Sequence, residues 1–155
     1  MPQTTLGGSV VCRGVSLHSG HEVSMEFRPA PEDSGIVFHI HSEDGEHLLS
    51  PRPDAVSTTE LATTVSDGTV SVSTIEHVLA ALNGLAVDNV EIHVVGGEVP
   101  ILDGSAKPVV EALRSVGFCT QNAPRRMARV MRRHALEKDG RSISVEPYDG
   151  FRVDY

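Results

Sequence analysis

The sequence is poor in aromatic and cysteine residues. It contains no tryptophan, aromatic residues make up 4% of its 155 positions, and it has two cysteines. Its core must therefore be built mostly from aliphatic side chains. Cys12 and Cys119 are isolated, and no C-x-x-C pair is present. Nothing in a chain of this size demands a disulfide, so we expect a reducing compartment.

Long apolar runs and an excess of basic charge are also missing. No segment approaches the roughly 18 apolar residues of a membrane helix, and the N-terminus lacks the basic and apolar regions of a signal peptide. We therefore expect a cytoplasmic protein without a membrane span. The formal net charge of −8 disfavours a nucleic-acid partner, which would need a basic footprint. A phosphorylated ligand is compatible with this charge, since a few local Arg, Lys or His can hold it.

Alternating apolar and polar residues predict β-strands in three segments. Residues 23–28, 35–41 and 88–95 show the period of two that is typical of half-buried strands. Asp67-Gly68 lies between two β-branched runs and predicts a short hairpin.

Two helices are predicted, over residues 74–83 and 106–116. In the first, apolar residues recur at helical spacing and predict a buried stripe; these are Ile75, Val78, Leu79 and Leu82. Gly84 is a good C-terminal residue for it. In the second, Ser105 is the expected N-cap and Gly117 the expected end.

A weak internal repeat links the two ends of the chain. Leu17 matches Leu136, Gly20 matches Gly140, and residues 23–26 match 143–146. Repeated segments indicate a duplicated unit. We therefore expect the chain to begin a second copy of its fold and to stop before that copy's helices.

The stretch STIEHVLAAL, residues 73–82, places Glu76 beside His77. Ser73-x-x-Glu76 fits a capping box, and spacing alone favours that role for the glutamate. His77 points away from the apolar stripe at 100° per residue, so it either faces solvent or faces a second surface. Most lone exposed histidines have no function. The stretch is not an H-E-x-x-H motif, so any other ligands of a metal on His77 must lie elsewhere.

Other candidate residues have simpler interpretations. His39-x-His41 puts two imidazoles on one strand face, as in some zinc sites, but an exposed polar face explains them more simply. His18 and His21 flank Gly20 in a predicted turn, where polar residues are common.

Four motifs together resemble a known enzyme family. They are GVSLHSG (14–20), FRPAP (27–31), STIEHVLAALNGLAVDNVEI (73–92) and EVPILDGSA (98–106). In this order they resemble the UDP-3-O-acyl-N-acetylglucosamine deacetylases, zinc amidases of lipid A biosynthesis. The resemblance covers essentially the whole chain. It implies an α+β fold, a two-layer sandwich of β-sheet and helices of the ribosomal protein S5 domain 2-like type, repeated twice. Residues 1–122 would form the first domain, and residues 123–155 would be the opening strands of a truncated second domain.

The resemblance also implies roles for individual residues. Glu76 matches the family's general base and His77 one of its zinc ligands. The two remaining ligands come from an H-K-x-x-D motif in the second domain, which this sequence lacks. Leu61, Ala62 and Thr63 match a segment near the substrate's acyl chain, and His18 is expected to lie near the site.

The implied reaction is hydrolysis of the N-acetyl group of UDP-3-O-acyl-N-acetylglucosamine, which gives acetate and the free amine. The implied cofactor is Zn²⁺, and the complete enzyme is expected to be a monomer. Because His77 is one ligand of three, we expect this chain alone to bind zinc poorly and to be inactive without a C-terminal domain. The alternative is a non-catalytic module that binds a sugar nucleotide or a protein partner.

Overall fold

The computed structural model describes residues 1–42 and 44–155. The chain divides into two compact units, Met1–Arg125 and Arg126–Tyr155. In chain order the elements are β1 (Pro2–Leu6), β2 (Val10–Val15), β3 (Glu22–Pro29), β4 (Ile36–Ser42), β5 (Gly45–Leu49), β6 (Val56–Thr58), β7 (Thr64–Ser66), β8 (Ser71–Val72), α1 (Glu76–Gly84), β9 (Val90–Val95), α2 (Lys107–Val116), β10 (Phe118–Pro124), β11 (His134–Lys138) and β12 (Arg141–Val145). The predicted domain boundary after residue 122 falls inside β10 and stays a prediction.

A mixed five-stranded sheet forms the main layer of the first unit, in the order β2-β3-β9-β4-β5. β9 lies at its centre, antiparallel to β3 and parallel to β4. The strands predicted over 23–28, 35–41 and 88–95 are confirmed as β3, β4 and β9. Two smaller sheets complete the unit: β1 pairs with β10, and β6, β7 and β8 form the other. The hairpin predicted at Asp67-Gly68 is confirmed between β7 and β8.

The core lies between one face of the large sheet and the two helices. Alternation along the strands turns every second side chain inward. The fully buried sheet residues include Met25, Phe27, Phe38, Val90, Ile92 and Val94. The helices bury Val78, Ala81 and Leu82 from α1, and Val109 and Leu113 from α2. The α+β architecture predicted from the sequence is confirmed, and the core among the described residues is mostly aliphatic, with Phe27, Phe38, Met25 and Cys12 as other members.

The start of α1 differs from the predicted capping box. The helix begins at Glu76, with Ile75 as N-cap and no side-chain cap hydrogen bond. Ser73 lies outside the helix, where its hydroxyl donates to the Gly97 carbonyl oxygen at 3.3 Å. The intervening Thr74 has a φ of 61°, which breaks the helical path that a capping box requires. The prediction that Glu76 caps its own helix through Ser73 is therefore wrong.

The end of α1 also differs from the prediction. Gly84 is the last helical residue, and Ala86, with a φ of 57°, takes the left-handed position expected of glycine. The Val87 N–H bonds to the Leu82 carbonyl and the Ala86 N–H to the Asn83 carbonyl, each at 3.0 Å. This pair of bonds is a Schellman motif, which satisfies the last carbonyls of the helix.

The second helix is close to its prediction. It begins at Lys107, one residue late. The prediction of Ser105 as N-cap is wrong, since Ala106 is the N-cap and has no side-chain cap hydrogen bond. Ser105 precedes it, and its hydroxyl oxygen accepts the Lys107 N–H at 3.1 Å. Gly117 ends it with a φ of 69°. Within the described ranges, neither helix has the length and apolar content needed to cross a membrane.

The second unit is a small hairpin of β11 and β12 whose apolar side chains are exposed, among them Leu136 and Ile143. Gly140, in its turn, has a φ of 73°, and Gly20, its match in the predicted repeat, has a φ of 69°. Both glycines precede a strand, which agrees with a repeated unit.

We predict that Leu82→Ala destabilises the first unit. Leu82 is fully buried on α1, and truncation of such a residue costs about 2–5 kcal/mol through lost burial and a residual cavity. Chemical unfolding followed by circular dichroism measures the change. Leu17→Ala, at a position 56% exposed, is the matched control and should cost little. Equal, small effects of both changes would contradict the packing of α1 on the sheet.

Candidate functional site

Glu76 and His77 lie in the first turn of α1, and both are half-buried. The Glu76 carboxylate faces the segment before β7, where its Oε2 accepts the Thr63 N–H at 3.1 Å. In return the Ile75 N–H donates to the Thr63 carbonyl at 3.5 Å. Among residues 1–42 and 44–155, Oε1 of Glu76 has no hydrogen-bond donor. One carboxylate oxygen is thus held in place, and the other is available to a proton.

The predicted acyl-chain segment therefore meets the predicted base through Thr63. Leu61 is 85% exposed and has a φ of 62°, a conformation that is uncommon for a leucine. Ala62, beside it, is buried. The backbone thus presents one apolar side chain to solvent and anchors the next two residues against the first unit.

His18 is positioned by a residue that sequence analysis missed. It lies in the turn after β2, and its N–H donates to Oε1 of Glu98 at 3.0 Å, while the Ser19 N–H donates to Oε2 at 3.1 Å. The Thr74 hydroxyl donates to the same Oε1 at 3.0 Å. Glu98 thereby joins the His18 turn to the residues just before α1. It is part of the EVPILDGSA motif, which is the available signal, but no local pattern indicates which backbone and hydroxyl groups it binds.

The Glu98 carboxylate is buried and ionised. Burial opposes its ionisation, but the hydrogen bonds from His18, Ser19 and Thr74 outweigh that effect and lower the pKa of Glu98 below its ordinary value of 4.5. A buried carboxylate is tolerated because these three donors replace its hydration.

His18 lines an open pocket of about 590 Å³. Its wall is formed by the His18 turn, the start of β3 and the loop after β9; it includes His21, Glu22, Ser73, Gly97 and Glu98. Neither Glu76 nor His77 lines this pocket. The structure thus links His18 to the start of α1 through Glu98 and Thr74, and gives it a concave surface of its own.

His77 offers a single ligand for the metal that the sequence motifs imply. A closed or catalytic zinc site takes at least three protein ligands. In the described part of the chain, the groups of three potential ligands that lie close together do not include His77. The imidazole is a suitable zinc ligand, but the described residues place no complete set of three ligands around it.

Comparison with known proteins identifies the family. The family model for UDP-3-O-acyl N-acetylglycosamine deacetylase (LpxC) matches residues 3–155. The chain belongs to this deacetylase family. Proteins named UDP-3-O-acyl-N-acetylglucosamine deacetylase from Oleidesulfovibrio alaskensis and Nitratidesulfovibrio vulgaris are 48% and 49% identical to it over 155 residues. The one from Lawsonia intracellularis is 39% identical over 155 residues.

The match to these deacetylases covers 100% of this chain but 51%, 50% and 51% of the three relatives. The chain thus spans about half the length of the curated relatives it matches. The recognition made from the four motifs is confirmed, and the activity of the whole protein is considered below as a proposal.

We predict that Glu98→Gln destabilises the first unit by about 1–3 kcal/mol at neutral pH. The NH₂ group of the glutamine replaces one acceptor oxygen, so one of the buried N–H donors loses its partner. Since the folded-state pKa of Glu98 lies below 4.5, the carboxylate contributes fully above that pH. Its contribution is lost as the pH falls through the lowered folded-state value.

The free energy of unfolding should be measured from pH 7 into the acid range. The difference between the wild type and Glu98→Gln should shrink on acidification. Glu22→Gln, an exposed position on the same pocket, is the control. A difference that does not depend on pH would mean that the carboxylate charge has no part in holding the His18 turn.

Proposed function

We propose that the complete protein hydrolyses the N-acetyl group of UDP-3-O-acyl-N-acetylglucosamine in lipid A biosynthesis and releases acetate and the free amine. Family membership supports the reaction class, and the relatives carry the name of this deacetylase. The observation that carries the proposal for this chain is the Glu76 carboxylate, which is oriented by the Thr63 N–H at 3.1 Å and lies directly before His77.

Glu76 is the proposed general base. The bond from Thr63 fixes Oε2 and leaves Oε1 to take a proton from the attacking water. The same carboxyl group, once protonated, can deliver the proton to the departing amine. A base whose side chain is already oriented loses little conformational freedom in the reaction.

His77 is the proposed zinc ligand of this chain. Zn²⁺, when bound, lowers the pKa of a water molecule to about 7. Its remaining ligands would come from a His and an Asp of an H-K-x-x-D motif in a C-terminal domain. We therefore expect this chain alone to hold zinc weakly at His77 and to have no deacetylase activity.

The substrate would contact two parts of the first unit. The exposed Leu61 offers an apolar surface to the acyl chain, with Ala62 and Thr63 holding the backbone beneath it. Glu98 and Thr74 connect the His18 pocket to the start of α1. A polar part of the substrate would bind in this pocket.

The cellular location and the partners of the complete protein are proposed from the cysteines and the charge of this chain. Cys12 and Cys119 are both free thiols, which supports a reducing, cytoplasmic location. We propose that the complete enzyme acts as a monomer. We also propose that it has no nucleic-acid partner, since the formal net charge of this chain is −8.

A second candidate is a module that binds a sugar nucleotide or a protein partner without hydrolysis. The observation that favours it is the isolation of His77 from the groups of potential ligands within residues 1–42 and 44–155. Turnover by the complete protein separates the two candidates.

We predict that Glu76→Gln in the complete protein lowers deacetylation by roughly 10²–10⁴-fold. The glutamine can still accept the Thr63 N–H, so stability should change little. Acetate release measures the activity and thermal unfolding the stability. Glu111→Gln, exposed on α2, should leave both unchanged. Full activity with lowered stability would assign Glu76 a purely structural role.

We also predict that His77→Ala in the complete protein abolishes deacetylation, because two ligands hold zinc far less tightly than three. The reaction should be followed with zinc at increasing concentration after dialysis against a chelator. His134→Ala, an exposed histidine of β11, is the control. Activity of the His77 variant at low zinc would contradict its role as a ligand.

A further inference from the structure

A cluster of three histidines lies on the face of the large sheet opposite the helices. His39 and His41 belong to β4, and His93 belongs to β9, where it is directly opposite His39 in the parallel register. The His39 and His93 rings stack with centroids 4.2 Å apart, and the His41 and His93 rings with centroids 5.3 Å apart. His93 is thus the central member of the cluster.

A carboxylate from a third strand reaches the same point. Glu46, on β5, is opposite His41 in the register. Its Oε1 lies 3.0 Å from Nδ1 of His39, 3.7 Å from Nδ1 of His93 and 3.8 Å from Nε2 of His41. Nε2 of His41 is itself 3.1 Å from Nδ1 of His93. Three strands therefore direct two imidazole nitrogens and one carboxylate oxygen at a common point.

These three atoms have the spacing of a metal's ligands. With bonds of about 2.0–2.2 Å and tetrahedral angles, two zinc ligands lie about 3.3–3.5 Å apart. The observed separations of 3.1, 3.7 and 3.8 Å bracket that range. The His41 and Glu46 side chains are 42% and 47% exposed, so the fourth position can be filled by water.

The buried nitrogen of His93 is a second, independent sign of a ligand. The His93 side chain is 10% exposed, and its Nε2 is buried with no hydrogen-bond partner in the described part of the chain. That nitrogen lies 3.6 Å from Oε2 of Glu91. A metal on Nδ1 would place the ring's proton on Nε2, facing this carboxylate. Such a carboxylate–histidine pair is usual behind a metal-binding imidazole.

The His93 side chain is largely buried, and Glu46 lies within hydrogen-bond distance of His39. Burial lowers the pKa of His93, and so do the nearby positive charges of His39 and Arg28, whereas the Glu91 carboxylate acts in the opposite direction. The hydrogen bond from His39 lowers the pKa of Glu46. A metal binds imidazole in its neutral form and carboxylate in its anionic form.

We propose that His41, His93 and Glu46 form a Zn²⁺ site on the outer face of the sheet, with His39 orienting the Glu46 carboxylate. Two imidazoles and one carboxylate match the preference of zinc over calcium or magnesium, which take oxygen ligands. The ion would tie β4, β5 and β9 together at one end of the sheet. It involves neither Glu76 nor His77, so the expectation of weak zinc binding applies to the His77 position alone.

The test is a zinc titration of this chain in a His77→Ala background, which removes the family's own ligand. Calorimetry should show one Zn²⁺ per chain, and Co²⁺ should give the intense visible absorption of a four-coordinate site with nitrogen ligands. His93→Ala should weaken binding at least tenfold, whereas His134→Ala should not change it. Zinc should also raise the thermal midpoint of the parent chain, and not that of the His93 variant.

Two more variants guard against misfolding. His41→Ala and Glu46→Gln change half-exposed side chains, and circular dichroism should show both folded; each should also weaken binding at least tenfold. The proposal is overturned if the His77→Ala chain binds no zinc. It is also overturned if binding persists unchanged in the folded His41 and Glu46 variants. Either result would leave the proposed roles of Glu76 and His77 untouched, since neither residue belongs to this site and the assay is made in a His77→Ala background.

Discussion

The buried carboxylate of Glu98 is the interaction on which the arrangement of the proposed site in the first unit depends. It binds the N–H groups of His18 and Ser19 and the hydroxyl of Thr74, so one side chain fixes both a turn after β2 and the approach to α1. A buried charge is stable only while its partners are in place. The loss of any one donor therefore affects the others, and the approach of the chain to Glu76 and His77 depends on a residue from a distant part of the sequence.

The topology of the sheet places two separate groups of candidate functional residues on opposite faces of the first unit. β9 lies at the centre of the sheet, where its inward residues form the core and its outward residue His93 meets His39 across a parallel pairing. The chain then leaves the strand through Gly96 and Gly97 and reaches Glu98. The helix side of the sheet thus bears Glu76 and His77, the proposed catalytic residues, and the opposite side bears the histidine cluster.

Much of this could be predicted from the sequence, and the failures have physical causes. Strands β3, β4 and β9 follow from the period of two, and the α1 stripe from helical spacing, because these patterns are local. The capping box failed because a left-handed Thr74 and a long-range bond from Thr63 replaced the local partner. His39 and His41 were recognised as a pair on one strand face. Their convergence with His93 and Glu46 depends on strand pairing between distant segments, which no local pattern reveals. Glu98 was missed for the same reason.

The Schellman motif at the end of α1 offers a position at which the stability of the first unit can be increased. Ala86 is held at a φ of 57°, where a methyl group costs roughly 1 kcal/mol and glycine has no such penalty. The usual advice to replace glycine by alanine for thermostability is reversed here. An engineer can improve the helix end by removing a side chain, at a position that belongs neither to the Glu76 and His77 pair nor to the histidine cluster.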